Sequence, residues 1–131
     1  MPSMVHISLV AVLVAAVLNM VVGALWYGKL FGKPWMEGMS MDDANMEPMH
    51  LVITFVGHLG LAAAVATLLG VGGVDTTGGA ITTTIWLWLG LVATTMTINQ
   101  VWDSRPWSLL GINAGNHLVS MLIAAIVSVM M

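Results

Sequence analysis

Six polar side chains stand inside otherwise apolar stretches of this 131-residue chain: Asn19, His58, Thr95, Asn113, Asn116 and His117. Counted from flanking aromatic and histidine positions at about 1.5 Å per helical residue, they fall at one level, roughly 9–15 Å along their segments. Asn113, Asn116 and His117 also share one helix face through their i, i+3, i+4 spacing. Amides, hydroxyls and neutral imidazoles at one depth can hold an ion, a proton or a small polar ligand, the default reading of ionisable groups inside a membrane. The same groups can instead clasp helices together by hydrogen bonds, at about 1 kcal/mol each. No Asp, Glu, Lys or Arg joins the layer, which favours the clasp. His50 and His58 stand eight residues apart, about 12 Å of helix, too far to share one metal. His58 and His117 can share one if their helices touch, and the same pair could ligate haem inside a four-helix bundle.

A second chemistry is soft. Met36, Met39 and Met41 fit the pattern M-x-x-M-x-M, with Met46, Met49 and His50 following. Thioethers select Cu(I), and the run resembles the methionine motifs of copper transporters. Methionine is also spread widely, twelve in all including Met130 and Met131, and it serves equally as an adaptable apolar filler. Enzyme chemistry has less support. There is no Gly-rich phosphate loop, no nucleophile elbow and no paired carboxylates in an apolar segment. The absence of cysteine removes disulfides, thiolate zinc sites and thiol nucleophiles. The sequence is read as non-catalytic, without a resident cofactor, Cu(I) and haem being the alternatives.

The elements that must position these groups are membrane helices. Charged residues make up 7% of the chain and hydrophobic ones 59%, against roughly 25% charged in a soluble domain. Four apolar runs, at about 5–27, 49–70, 80–102 and 107–129, each approach the roughly 20 residues needed to cross a bilayer. The fold expected is an all-α integral membrane protein, a single domain of four transmembrane helices in a compact bundle. One long interfacial loop, 28–48, joins the first helix to the second. The first run lacks a basic leader and a cleavage site and is read as a retained helix rather than a signal peptide.

Small residues predict where helices approach. Ala11, Ala15, Asn19 and Gly23 recur every four residues, Gly57, Gly60 and Ala64 mark the second helix, and Gly111 with Gly115 forms a GxxxG pair. Trp26, Tyr27, Lys29, Lys33, Trp35, Trp102, Arg105 and Trp107 are read as interfacial anchors. Gly28, Gly32 and Pro34 are expected to break the first helix. Ser40 with Asp43 has the form of a capping box, which predicts a short surface helix from Met41 to Glu47. Pro48 suits the first turn of the next helix. Lys29, Lys33 and Arg105 lie in the first and third loops, which places those loops in the cytoplasm and both termini outside. Segments one and three each end in Trp, a basic residue and Pro-Trp, a faint internal echo (WYGKLFGKPW and WDSRPW). A net charge of −3 gives no basic surface for nucleic acid.

The segments GALWYGKLFGKPWM (23–36), WLGLVATT (88–95) and WDSRPWSLLGINAG (102–115) resemble a widespread family of small bacterial membrane proteins, filed as domain of unknown function seventeen-sixty-one. The resemblance covers essentially the whole chain and implies a four-helix integral membrane fold in the bacterial inner membrane, with no activity attached. The methionine-rich run after Trp35 departs from the family, whose members carry a more ordinary polar helix there. The function expected is that of a small accessory or packing subunit of a larger membrane complex, or of a self-associated oligomer, with lipid and other membrane helices as partners. The alternative is an oligomeric channel or carrier for an ion, a proton or Cu(I) built on the Asn/His layer, and a haem-binding electron-transfer subunit comes third.

Overall fold

A computed structural model describes residues 8–38, 48–103 and 106–131, which among themselves form helices and no strand. Ser8 caps helix α1 (Leu9–Leu25) by accepting the Ala11 amide hydrogen at 3.1 Å. The backbone continues without a break into a π-helical turn, Trp26–Leu30. After Phe31 comes a short helix, α2 (Gly32–Gly38). Then follow α3 (Pro48–Val71), α4 (Thr77–Leu87), a second π turn (Trp88–Ala93), α5 (Thr94–Trp102) and α6 (Trp107–Met130).

Several expected boundaries move. Gly28 does not break the first helix but lies inside the π turn, and the chain turns instead at Phe31, whose φ is −127°. Gly32 is required at that turn, because a Cβ there would stand 2.8 Å from the Tyr27 carbonyl oxygen. Pro34 falls in the first turn of α2, where a missing N–H leaves no helix bond unmade. The expected loop 28–48 therefore opens with helix as far as Gly38. Ser40, Asp43 and the expected helix from Met41 to Glu47 lie outside the described residues. Pro48 begins α3, as its position predicts.

The α3–α4 connection is shorter than the glycines suggested. Gly73 takes a φ of +70°. The Val74 amide donates to the Leu69 carbonyl at 2.9 Å and the Gly73 amide to the Gly70 carbonyl at 3.1 Å, the paired bonds of a Schellman cap. The Thr76 hydroxyl then accepts the Gly79 amide hydrogen at 3.0 Å and starts α4 at Thr77, three residues ahead of the expected 80.

Four rods are long and apolar enough to cross a membrane: Leu9–Leu30, Pro48–Val71, Thr77–Trp102 and Trp107–Met130. The last is the hub. α6 packs against α1, α3 and α4, and also against α2, α5 and the second π turn, whereas α3 and α4 barely meet. The buried cluster joins Val12 and Ala15 of α1, Ala62, Val65 and Leu69 of α3, Ala80 of α4, and Met121, Ala124 and Ala125 of α6. Alanine on both sides of a contact brings helix backbones close, which is how helices gain packing energy where lipid supplies no hydrophobic force. The inward face of α3 is thus Ala62, Val65 and Leu69. Gly57, Gly60 and Ala64, expected as a packing stripe, are exposed on its outer side.

Candidate functional site

Both π turns begin at a tryptophan, and both tryptophans reach α6. The Trp26 indole N–H donates to the Ile112 carbonyl at 2.9 Å, and the Trp88 indole N–H donates to the Ala114 carbonyl at 2.8 Å. Positions two apart on an α-helix point about 200° apart, so the two indoles grip α6 from opposite sides. A carbonyl oxygen has two lone pairs, which lets each accept an indole without giving up its helix bond. Beside the first grip, the Tyr27 hydroxyl donates to Asn113 Oδ1 at 2.8 Å. Nearer the middle of α1, Asn19 Nδ2 donates to the Ser120 carbonyl at 3.2 Å.

These bonds add to the reading of the aromatic residues. Trp26 and Tyr27, expected as interfacial anchors, tie the first rod to α6. Trp26 lies over Phe31 with centroids 4.8 Å apart, and Tyr27 meets Trp35 edge-on at 5.1 Å. Gly115 is the seat of the Trp26 ring: a Cβ at that position would be 3.1 Å from Trp26 Cζ2. The GxxxG pair is consequently divided, with Gly115 used inside the chain and Gly111 exposed with open space around it. Trp102 and Trp107 are 86% and 60% exposed, and Lys29 and Lys33 are exposed as well, while Arg105 lies outside the described residues.

The six-residue polar layer separates into parts. Asn19 and Asn116 are buried in the α1–α6 seam together with Ser120, and Thr84 is buried on α4. Asn113 is half-buried under Tyr27. His58 is half-buried on α3 and His117 exposed on α6. Thr95 is exposed, its hydroxyl donating to the Leu91 carbonyl of its own helix. Depth, which spacing supplies, does not fix the face of the helix, and Thr95 turns outward. Four buried atoms have no hydrogen-bond partner among the described residues: Asn19 Oδ1, Asn116 Nδ2 and Ser120 Oγ in the seam, and Thr84 Oγ1 on α4. Leaving such a group unmatched costs about 1–3 kcal/mol.

Ser120 and Thr84 were missed in the sequence, although Ser120 follows Asn116 by four residues on one face. A better internal repeat than the Trp-basic-Pro-Trp echo is also legible in retrospect: Leu25-Trp26-Tyr27-Gly28 and Leu87-Trp88-Leu89-Gly90, both at π turns. Only part of the copper set falls among the described residues. Met36 is half-buried on α2, Met49 and His50 are exposed at the start of α3, and Met39, Met41 and Met46 lie outside the described residues.

Two cavities flank the polar line of α6. One of about 260 Å³ opens where the start of α1 meets the ends of α3 and α6, with Ser8, Ala11, Asp75, Ala124 and Ser128 in its wall. The other, about 140 Å³, lies between α5 and α6, walled by Met96, Asn99, Gln100, Asp103 and Asn113 among others. The arrangement offers neutral donors and acceptors inside and carboxylates only near its ends. Comparison with curated proteins and with solved structures gave no match. A family model matches residues 10–129, a range that takes in both π turns and all of α6 but its last residue. The chain belongs to the family described as Protein of unknown function (DUF1761).

Proposed function

We propose that this protein is an integral membrane protein of the bacterial inner membrane, without catalysis of its own, that works by packing helices against other membrane helices, as its own oligomer or within a larger complex. The third rod carries this reading. Over its most apolar eighteen residues only 6% are buried, yet it presents Gly78, Thr82, Gly90 and Thr94 on exposed positions, with open space at both glycines. Small residues on an uncovered membrane helix let a neighbour's backbone approach closely. Exposed Gly57, Gly60 and Ala64 on α3 add a second such face. The end bearing Lys29, Lys33 and Arg105 faces the cytoplasm by the distribution of basic charge.

The test is extraction into native nanodiscs followed by mass determination. An assembly larger than one chain is expected, and Gly90→Leu should break it without unfolding the protein. A lone protomer in its native membrane would end the proposal. A second reading, carriage of an ion or proton, is favoured by the unpartnered atoms of the α1–α6 seam. It requires flux into proteoliposomes that Asn116→Leu abolishes, and flux equal to that of empty liposomes removes it.

A further inference from the structure

The larger cavity and the unpartnered atoms belong to one column. Along α6, Asn116, Ser120, Ala124 and Ser128 recur every four residues and so share a face. Ser128 and Ala124 wall the 260 Å³ cavity, while Ser120 and Asn116 lie buried one and two turns further in. Facing them, Ala11 walls the cavity and Ala15 and Asn19 continue the line on α1. The cavity therefore leads toward a cluster whose polar atoms, Asn19 Oδ1, Asn116 Nδ2 and Ser120 Oγ, have no hydrogen-bond partner among the described residues. At the mouth stands Asp75, among the described residues the one ionisable side chain in the cavity wall. Lys29 and Lys33 lie at the opposite end, at the close of the first rod and on α2.

We propose that the cavity is an aqueous vestibule for small monovalent cations, and that Asn19, Asn116 and Ser120 form a partly hydrated cation site at its inner end. The chemistry selects the ligand class. Asn19 Oδ1 and Ser120 Oγ are hard oxygen donors of the kind that replace part of a cation's water shell. Asn116 Nδ2 is a donor and holds a retained water instead. No carboxylate lies at the inner end, as a tightly held divalent cation would demand. Asp75 at the mouth raises the local cation concentration, since unlike charges attract across several ångströms even at high dielectric. The proposal deepens the ion-carriage reading but does not need net transport, because a vestibule fills whether or not the ion goes on to cross.

The absence of cysteine makes single introduced thiols unambiguous probes in the full-length protein. Ala66→Cys and Ser128→Cys, in the cavity wall, are treated in sealed vesicles of both orientations with cationic and anionic thiosulfonates. Ser120→Cys is treated with Ag⁺, a thiophilic ion the size of a small alkali cation. Leu13→Cys, on the outer face of α1 at 51% exposure, is the lipid-facing control. The wall positions are expected to react from one membrane side, about fivefold faster with the cationic reagent, and Asp75→Asn should remove that preference. Ser120→Cys should react with Ag⁺ from the same side, and Na⁺ should slow it. Wall thiols that are inert in folded protein, or equal rates with both reagents, overturn the vestibule. A reactive wall with a Ser120→Cys thiol indifferent to Ag⁺ overturns the inner site. Flux is read separately, so a reactive column in vesicles that carry no ion keeps the vestibule and removes only the transport reading.

Discussion

α6 and the third rod are nearly the same object by composition and opposite objects by role. Their most apolar windows have mean hydropathies of 1.6 and 1.5, and they run for 24 and 26 residues. Yet 39% of the α6 window is buried against 6% for the third rod. Hydropathy reports whether a helix can live in lipid and says nothing about which helix the others gather round. The difference lies in small side chains and accepting carbonyls. α6 buries Ala114, Asn116, Ser120, Ala124 and Ala125 and offers the carbonyls of Ile112, Ala114 and Ser120 to donors from elsewhere in the chain. The third rod buries Ala80 and Thr84 in α4 and nothing in α5. Its hydroxyls at Thr94, Thr95 and Thr97 bond back to its own helix.

The strongest way to break this comparison is to place the same bulk on each rod. Gly115→Leu pushes into the Trp26 ring, already 3.1 Å from an ideal Cβ, and should destabilise the fold by about 1–3 kcal/mol. Gly90→Leu meets nothing within 4 Å and should change fold stability by less than about 0.5 kcal/mol, while still disrupting any assembly through that face. Reversible SDS unfolding followed by tryptophan fluorescence measures both. Equal losses at the two positions would show that α6 is no more a hub than its neighbour. Gly111→Leu sharpens the point within α6 itself: open space surrounds Gly111, so it should behave like Gly90 despite sitting four residues from Gly115.

A smaller effect tests the indole grips. Trp26→Phe and Trp88→Phe keep an aromatic ring but remove the N–H that each gives to α6, and each should lose about 1 kcal/mol. Trp86→Phe, on a ring 69% exposed, should lose almost none. If all three behave alike, the tryptophans act as bulk at the membrane surface and the two grips are incidental.

How much of this was legible follows from what periodicity can encode. Composition and run length were enough for four long apolar helices, and the Ala11, Ala15, Asn19 stripe marked the face of α1 that is buried. What spacing could not supply was helical phase after an irregular turn. Each π turn inserts extra residues, so the faces of Thr94–Trp102 cannot be projected from Thr77–Leu87 by a 3.6-residue period. Thr95 joins the polar layer by depth alone, and depth does not fix the face of a helix: the residue is exposed. The GxxxG pair predicts a close helix approach at Gly115, but a sequence cannot show that Trp26, distant in the chain, already fills the space. Ser120 escapes a reading of side chains because its backbone carbonyl, not its hydroxyl, accepts the bond from Asn19.

The finest test concerns hydroxyls that look alike in sequence. Tyr27 donates across rods to Asn113 at 2.8 Å, whereas Thr95 donates within its own rod to Leu91. A polar contact between membrane helices is worth about 0.6 kcal/mol, so Tyr27→Phe should cost about that much. Thr95→Val should be neutral, since the carbonyl it releases still holds its helix bond. A double-mutant cycle removes what the single substitutions confound. Tyr27→Phe combined with Asn113→Ala should cost little more than Asn113→Ala alone, because the bond is lost once. Thr95→Val combined with Asn113→Ala should be strictly additive. Coupling between Thr95 and Asn113 would mean that α5 turns its threonine toward α6 after all, and the contrast between the central helix and the exposed one would lose its lower half.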